Sequence, residues 1–270
     1  DARIRLLLSL SANLKVTDWL TLQARGNLDY SADKLRQKFY ASTATALCGM
    51  NGRYIEMDYQ ETQMYGDVMA MVKKQLNDFT LDVAIGGSIN DRITNSTRID
   101  SKNASLKYAN VFNLANIVMS SSASIDQKID AHYQLQSVFA TAQIGYKEGV
   151  FLDLTARNDW SSTLAYTKYE KKGFFYPSVG VSFLPDKWVK MPEWVSFSKL
   201  RGAYSIVGNG VPPFITYPVS YVTAGGEILA SDAAPFAEMK PEMTHSVELG
   251  MEVLAAPPRI KSDLLPYRHV

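Results

Sequence analysis

From Arg3 onward the chain alternates. Even positions read Ile4, Leu6, Leu8, Leu10, Ala12, Leu14 and Val16, while odd positions read Arg3, Arg5, Leu7, Ser9, Ser11, Asn13 and Lys15, with Leu7 the one exception. A helix repeats every ~3.6 residues, so it cannot hold a period of two; a strand does, and it sends one oily face and one wet face to opposite sides. Thr17-Asp18 then reads as a tight turn, and Leu20, Leu22, Ala24, Gly26, Leu28 and Tyr30 alternate with Thr21, Gln23, Arg25, Asn27 and Asp29. Nine segments of this kind are expected, at 3–16, 19–30, 63–75, 78–89, 132–146, 150–158, 174–184, 198–207 and 243–253. The segment 63–75 is blurred by Met69 and Met71 on its polar side, and 53–59 is a candidate additional strand.

The connections run short (17–18), long (31–62), short (76–77), long (90–131), short (147–149), medium (159–173), medium (185–197) and long (208–242). Tight turns at one end of a meander and long loops at the other are the signature of an outer-membrane-type barrel. Fourteen residues at about 3.3 Å each span about 46 Å, or about 33 Å tilted near 45°, which crosses an apolar band of roughly 25 Å. The fold class expected is therefore all-β: an antiparallel up-and-down meander, nine or ten strands of a large transmembrane β-barrel with long loops at one end. Alternating strands also build soluble sandwiches and propellers, in which the apolar face is an internal core. The absence of a repeat of about 40–50 residues speaks against a propeller. The best helical candidate, Asp186–Trp194, is short and carries Pro192.

Composition narrows the function classes. Lys and Arg number 28 against 27 Asp and Glu, a net charge of +1, which leaves no electrostatic footprint for nucleic acid. No apolar run reaches the roughly 18–20 residues of a transmembrane helix. One cysteine excludes an internal disulfide and a Cys-rich zinc site. The 15 tyrosines and several aromatics near segment ends (Trp19, Tyr30, Tyr146, Phe151, Trp160, Phe174, Phe175, Tyr176) fit interfacial girdles, although aromatics favour strands in any case. Trp19 and Tyr30 have opposite parity, so both face lipid only if the strand start is irregular.

Catalytic signals are poor. His132, His245 and His269 are scattered, and there is no G-x-S-x-G elbow, Walker loop or H-E-x-x-H. No cofactor or metal is implied. Gly208-Asn209-Gly210 before Pro212-Pro213 is a turn signal. Cys48 falls in an expected loop with no activating neighbour. Asn95-Ser96-Thr97 and Asn103-Ala104-Ser105 match the glycosylation sequon, which carries no weight in an outer-membrane-type barrel. Loops held by a rigid scaffold often carry recognition, and 90–131 and 208–242 are rich in Ser and Asn and in Tyr and Pro, respectively.

Four stretches then resemble one family. Thr155-Ala156-Arg157-Asn158-Asp159-Trp160-Ser161-Ser162-Thr163-Leu164 is similar to the T-x-R-N-D-W-S-S-T-L stretch of the SusC/RagA family of TonB-linked outer-membrane transporters. Phe175-Tyr176-Pro177-Ser178, Lys199-Leu200-Arg201 with Gly208-Asn209, and Lys240-Pro241-Glu242 with Thr244, Glu248 and Gly250 resemble its later stretches in the same order. The upstream Asn110–Asn116 also fits. The resemblance implies a 22-stranded barrel in the bacterial outer membrane, an N-terminal plug that engages TonB, and a SusD-like surface lipoprotein that captures an oligosaccharide or peptide. Residues 1–253 are expected to form part of that barrel. The tail 254–270, with Ala255-Ala256-Pro257-Pro258 and Pro266, is expected to be truncated or altered. The opening Asp1-Ala2-Arg3 is not a signal peptide, so the chain is expected to begin inside a longer protein.

On this orientation the even residues of the first two strands meet lipid. Arg157 and Asp159 share the wet face near the extracellular rim, and with Trp160 they are the candidate substrate-binding or rim residues. Two other function classes stay open: a soluble all-β carbohydrate-binding or adhesion module, and an outer-membrane barrel hydrolase built around His132 or His245.

Overall fold

The computed structural model describes all residues except 103–105, 120–123, 193, 213–214, 217–219, 223–225, 232–233, 235 and 256–270. The candidate tenth strand near 259–267, His269 and the sequon at 103–105 lie outside the described residues. Nine long strands form a single antiparallel sheet: β1 (Ala2–Lys15), β2 (Leu20–Phe39), β3 (Arg53–Leu76), β4 (Phe79–Asp100), β5 (Ser124–Tyr146), β6 (Val150–Ser161), β7 (Phe174–Phe183), β8 (Val195–Asn209) and β11 (Glu242–Ala255). Two-residue strands β9 (Tyr221–Val222) and β10 (Ile228–Leu229) pair inside the last loop. Each long strand pairs with its neighbours in chain order, and β1 and β11 are the sheet edges. Three short 3₁₀ turns, at Leu114–Asn116, Ser162–Leu164 and Pro185–Lys187, are the only helical pieces among the described residues.

All nine expected segments become strands of this sheet, but several ends were misplaced. The stretch 31–62, expected as a loop, is mostly ladder: β2 runs to Phe39 and β3 starts at Arg53, so the loop shrinks to 40–52 and the candidate strand 53–59 is the start of β3. Likewise β4 continues to Asp100 and β5 begins at Ser124. The reason is chemical. Beyond about residue 32 of β2 the face that was oily becomes Lys34, Arg36 and Lys38, and the other carries Leu35 and Phe39 beside Asp33 and Gln37, so the contrast that reveals a strand inverts and weakens while backbone pairing continues. The connection before β8 belongs to the turn end, closed by Leu184 N–H donating to Gly149 O at 2.7 Å and by the Pro185 turn.

The two faces keep the parity read from β1. On one side lie Ile4, Leu10, Val68, Ile85, Val138 and Leu249, between 53% and 87% exposed. No second layer covers this face among the described residues, because every substantial contact between long strands joins ladder neighbours. A soluble sandwich buries such a face; here it is open.

The register converts this pattern into a tilt. Leu10 is level with Trp160 through Gly26, Gly66, Ile89 and Gln136. The apolar run of β1 is centred there. The run of β11, Met243 to Val253, is centred on Glu248, which is level with Asp153 through Ala203 and Gly180. The band therefore slides by about seven residues across the sheet. At about 3.3 Å per residue and about 4.8 Å per strand, that is a tilt of roughly 30°, near the 35–45° of membrane barrels. From Val150 to Trp160 the band rises about 33 Å along β6, or roughly 25–30 Å in height, the thickness such a barrel presents to lipid.

Aromatics mark both borders. At the turn end Phe79 stacks on Tyr146 (4.8 Å), Tyr146 on Trp188 (5.7 Å), and Lys147 Nζ lies 5.4 Å from the Tyr146 ring. Trp19 sits in the β1–β2 turn, where Thr17 Oγ1 accepts from its N–H, so its parity no longer conflicts with that of Tyr30. At the loop end Trp160 and Phe175 are exposed on the apolar face.

Beyond the band, loop 40–52 and the segment after β4 fold into a small cap. Tyr54, Leu106 and Ile117 are buried together, with Ile99 and Phe112 against them. Asn116 Nδ2 donates to Tyr108 O and Val111 O. Cys48 is buried here, its thiol near the carbonyls of Tyr40 and Thr43.

Candidate functional site: a polar row across the sheet

The face opposite the apolar one carries a continuous row of polar partners. Ser11, Arg25, Asp67, Ser88, Ser137 and Asp159 are direct Cα partners across β1 to β6. Alternation places each on the polar side, and the register aligns them. Arg25 donates from Nε to both oxygens of Asp67, at 3.1 Å each, and its Nη2 lies 3.0 Å from Oδ2. The Asp67 side chain is fully covered, whereas that of Arg25 stays 44% exposed. A carboxylate removed from water is stabilised by such a charge-assisted, hydrogen-bonded partner.

Arg157 begins two residues below this row, on the same face, and reaches into it. Its Nε donates to Asp159 Oδ1 at 2.7 Å and its Nη2 to Ser137 Oγ at 2.7 Å. The guanidinium therefore ties β6 to β5 and remains 42% exposed. Two half-open guanidiniums, each fixed by a carboxylate, thus face the same side. They can donate to carboxylate or carbonyl oxygens of a passing molecule, or to a polypeptide seated against the wall.

The three residues singled out from sequence separate. Arg157 and Asp159 are in contact on the polar face. Trp160 alternates to the apolar face, level with Gln136 and Leu10, where it belongs to the border of the band. Sequence reading missed Arg25, Asp67, Ser88 and Ser137. The signal available was a charge pair inside two otherwise regular strands; what aligned it with Arg157 was register, which no local pattern specifies.

The described histidines stand elsewhere. His132 Nε2 is 2.8 Å from both oxygens of Asp91, and His245 Nδ1 is 2.8 Å from the Tyr204 hydroxyl, each pair on the apolar-face side of its ladder. Among the described residues no group of three His, Cys, Asp or Glu side chains is placed to hold a metal ion.

Comparison with known proteins gives this sheet a family. The model of the TonB dependent receptor-like β-barrel matches residues 1–260. No curated protein matches the chain. Among solved structures, the RagAB peptide transporter superposes with a TM-score of 0.74 at 18% identity, covering 94% of this chain and 28% of that one. The RagAB peptide importer in its closed-closed and open-open states gives 0.72 at 17% and 0.69 at 19%, with the same coverage. At these identities the likeness is one of fold, and the chain spans 28% of the length of those structures. A tilted, single-layer meander with an uncovered apolar band, matched over nearly its whole sequence, belongs to the TonB-dependent receptor-like β-barrel family.

Proposed function

We propose that this chain is a stretch of wall of a bacterial outer-membrane importer. Its apolar face meets lipid and its polar row lines the lumen. The observation that carries this reading is the sheet itself: an open band of membrane height on one side and a hydrogen-bonded charged row on the other, within a family of TonB-dependent barrels. In the whole protein, a plug engaging TonB would couple import to the proton-motive force, and a SusD-like lipoprotein would deliver an oligosaccharide or peptide. The RagAB structures, a peptide transporter by name, and the four SusC/RagA-like stretches support that arrangement. Residues 1–253 act as barrel wall in this reading, and the rim pair Arg157–Asp159 anchors β6 to β5, with Trp160 fixing the same strand at the membrane border.

The test is uptake by cells carrying the full-length gene. Deleting the gene, or TonB, should abolish entry of labelled oligopeptides or oligosaccharides, and unchanged entry of both classes would overturn the proposal. Replacing Arg157 and Asp159 by Ala should lower the heat resistance of the folded barrel while leaving substrate preference intact. An altered preference with unchanged heat resistance would move the pair from anchoring to substrate contact.

A further inference from the structure

The strands do not stop where the apolar band stops. On the outward side of β2 to β5, above the band, the polar residues are Lys34, Arg36 and Lys38, then Glu56, Asp58, Gln60 and Thr62, then Asp91, Asn95 and Thr97, then Gln127, His132, Gln134 and Gln136; Tyr54, Ile93, Ile99 and Ile125 share this side, Tyr54 and Ile99 beneath the cap. This side continues, on the same backbone and with the same parity, the face that meets lipid below. It is therefore the surface that whatever stands above the acyl chains must touch.

Its chemistry changes with height. At the border a hydrogen-bonded chain crosses β4 and β5: His132 to Asp91, Gln134 Nε2 to Asp91 Oδ2 at 2.8 Å, and Gln136 Nε2 to Gln134 Oε1 at 2.8 Å. The next level is amide-rich. Here a cleft of about 160 Å³ opens between Asp58, Gln60, Asn95, Thr97, Gln127 and Ile129, with Ser96 and Lys128 also on its walls. A bulge shapes it: the register between β4 and β5 slips at Thr94/Ser96, Asp130 takes φ 47°, and Asn95 accepts from the Asp130 N–H at 2.8 Å. The slip leaves Ile129 71% exposed beside the amides. Thr97 lies six residues above the border residue Asp91 on β4, which is roughly 15 Å higher at this tilt.

Carboxamides and hydroxyls offer donors and acceptors together, and this matches vicinal hydroxyls; an exposed aliphatic group beside them matches the apolar face of a sugar ring. The charged positions are largely compensated across strands, Arg36 with Glu56 at 3.0 Å and Lys34 with Asp58 at 4.0 Å, so the face is polar without a strong field. Resting on the outer-membrane reading above, we propose that the outward face of β2–β5 beyond the apolar band is a seat for the sugar headgroups of outer-leaflet glycolipids, with the cleft at Gln60, Asn95, Thr97 and Gln127 as its recognition point. The occupant is a glycan carried on lipid, because the face is continuous with the lipid-facing band and shares its side of the sheet.

The experiment places a photoreactive benzoylphenylalanine singly at Gln60, Thr97 and Gln127 of the full-length protein in living cells. Control positions are Ile85 in the band and, at the same height on the opposite face, Glu61. After irradiation, the three test positions should give an upward gel shift that reacts with antibody to the glycan and retains fatty acid, and Glu61 should give none. Ile85 should label lipid in every case. Loss of label at all three test positions with Ile85 still labelled overturns the proposal, as do equal labelling of both faces, a protein adduct of discrete mass, or a glycan adduct without fatty acid. Failure at Ile85 itself sinks the barrel reading instead, so the two failures are distinguishable.

Discussion

At the scale of single residues, which face a side chain occupies decides its tolerance. Leu22 is even, exposed and level with Ala70 on the apolar face, while Gln23 points to the other side and donates to Asn13. Leu10→Arg, on the same face at the centre of the band, should cost about 2–4 kcal/mol. Gln23→Arg should stay within about 0.5 kcal/mol. Denaturant titration of the full-length barrel folded into vesicles reads both, and equal costs would contradict the assignment of faces. A second residue, Asp100, sits outside the band and is 1% exposed. Burial pushes its carboxyl up, but hydrogen bonds from Arg53 and the Lys102 N–H, with the charges of Arg53 and Arg98, outweigh that and hold it below the ordinary aspartate value. The stabilisation is complete above about pH 3.9 and disappears as pH falls through the lower folded value. Hydrogen exchange in 40–52 and 106–118 should therefore stay slow above that pH and rise below it. In Asp100→Asn, exchange should be fast at neutral pH, reflecting a loss of about 1.5–3 kcal/mol.

Strands are matched to one another by small residues under aromatic rings. A Cβ at Gly86 would stand 2.6 Å from Val68 O and 2.7 Å from the Phe139 ring, its direct partner across the ladder. A Cβ at Gly26 would meet nothing within 4 Å. Gly86→Ala should then destabilise by about 1–3 kcal/mol, since a backbone carbonyl cannot swing aside. Gly26→Ala should be neutral or stabilise by up to about 1 kcal/mol by restricting the unfolded chain. Heat resistance of the two variants on a gel ranks them, and the reverse order would be inconsistent with this packing. Pro177 pairs with Ala156 of β6 and lies one residue short of the β7–β8 ladder, which covers Ser178–Phe183, so on the β8 side it leaves no ladder bond unmade.

For the whole molecule the decisive fact is the pair of edges. β1 and β11 each pair on one side only. Backbone groups left unpaired in hydrocarbon cost several kcal/mol each, so a sheet with two such edges is not stable there on its own. A polypeptide of these 270 residues should form no ion-conducting pores in planar bilayers; stepwise conductance from it would refute this. The long strands give a second expectation at this scale, since the ladder of β3 continues well above the band and should stay protected from exchange there, as the cap packs against its upper end.

The sequence by itself determined the strands, their faces and the turn-and-loop rhythm, because one exposed oily face and one wet face impose a period of two on the side chains whatever lies far away. It also placed Arg157 and Asp159 together on the wet face, where they hydrogen-bond. Only the tertiary structure decided how far β2 to β5 rise, because above the band the face that was oily turns largely charged and amide-bearing and the hydrophobic contrast that reports pairing weakens. It alone decided the tilt and the row from Ser11 to Asp159, since both follow from register between strands separated by loops, and register is settled by the sum of backbone pairs rather than by any local run of residues.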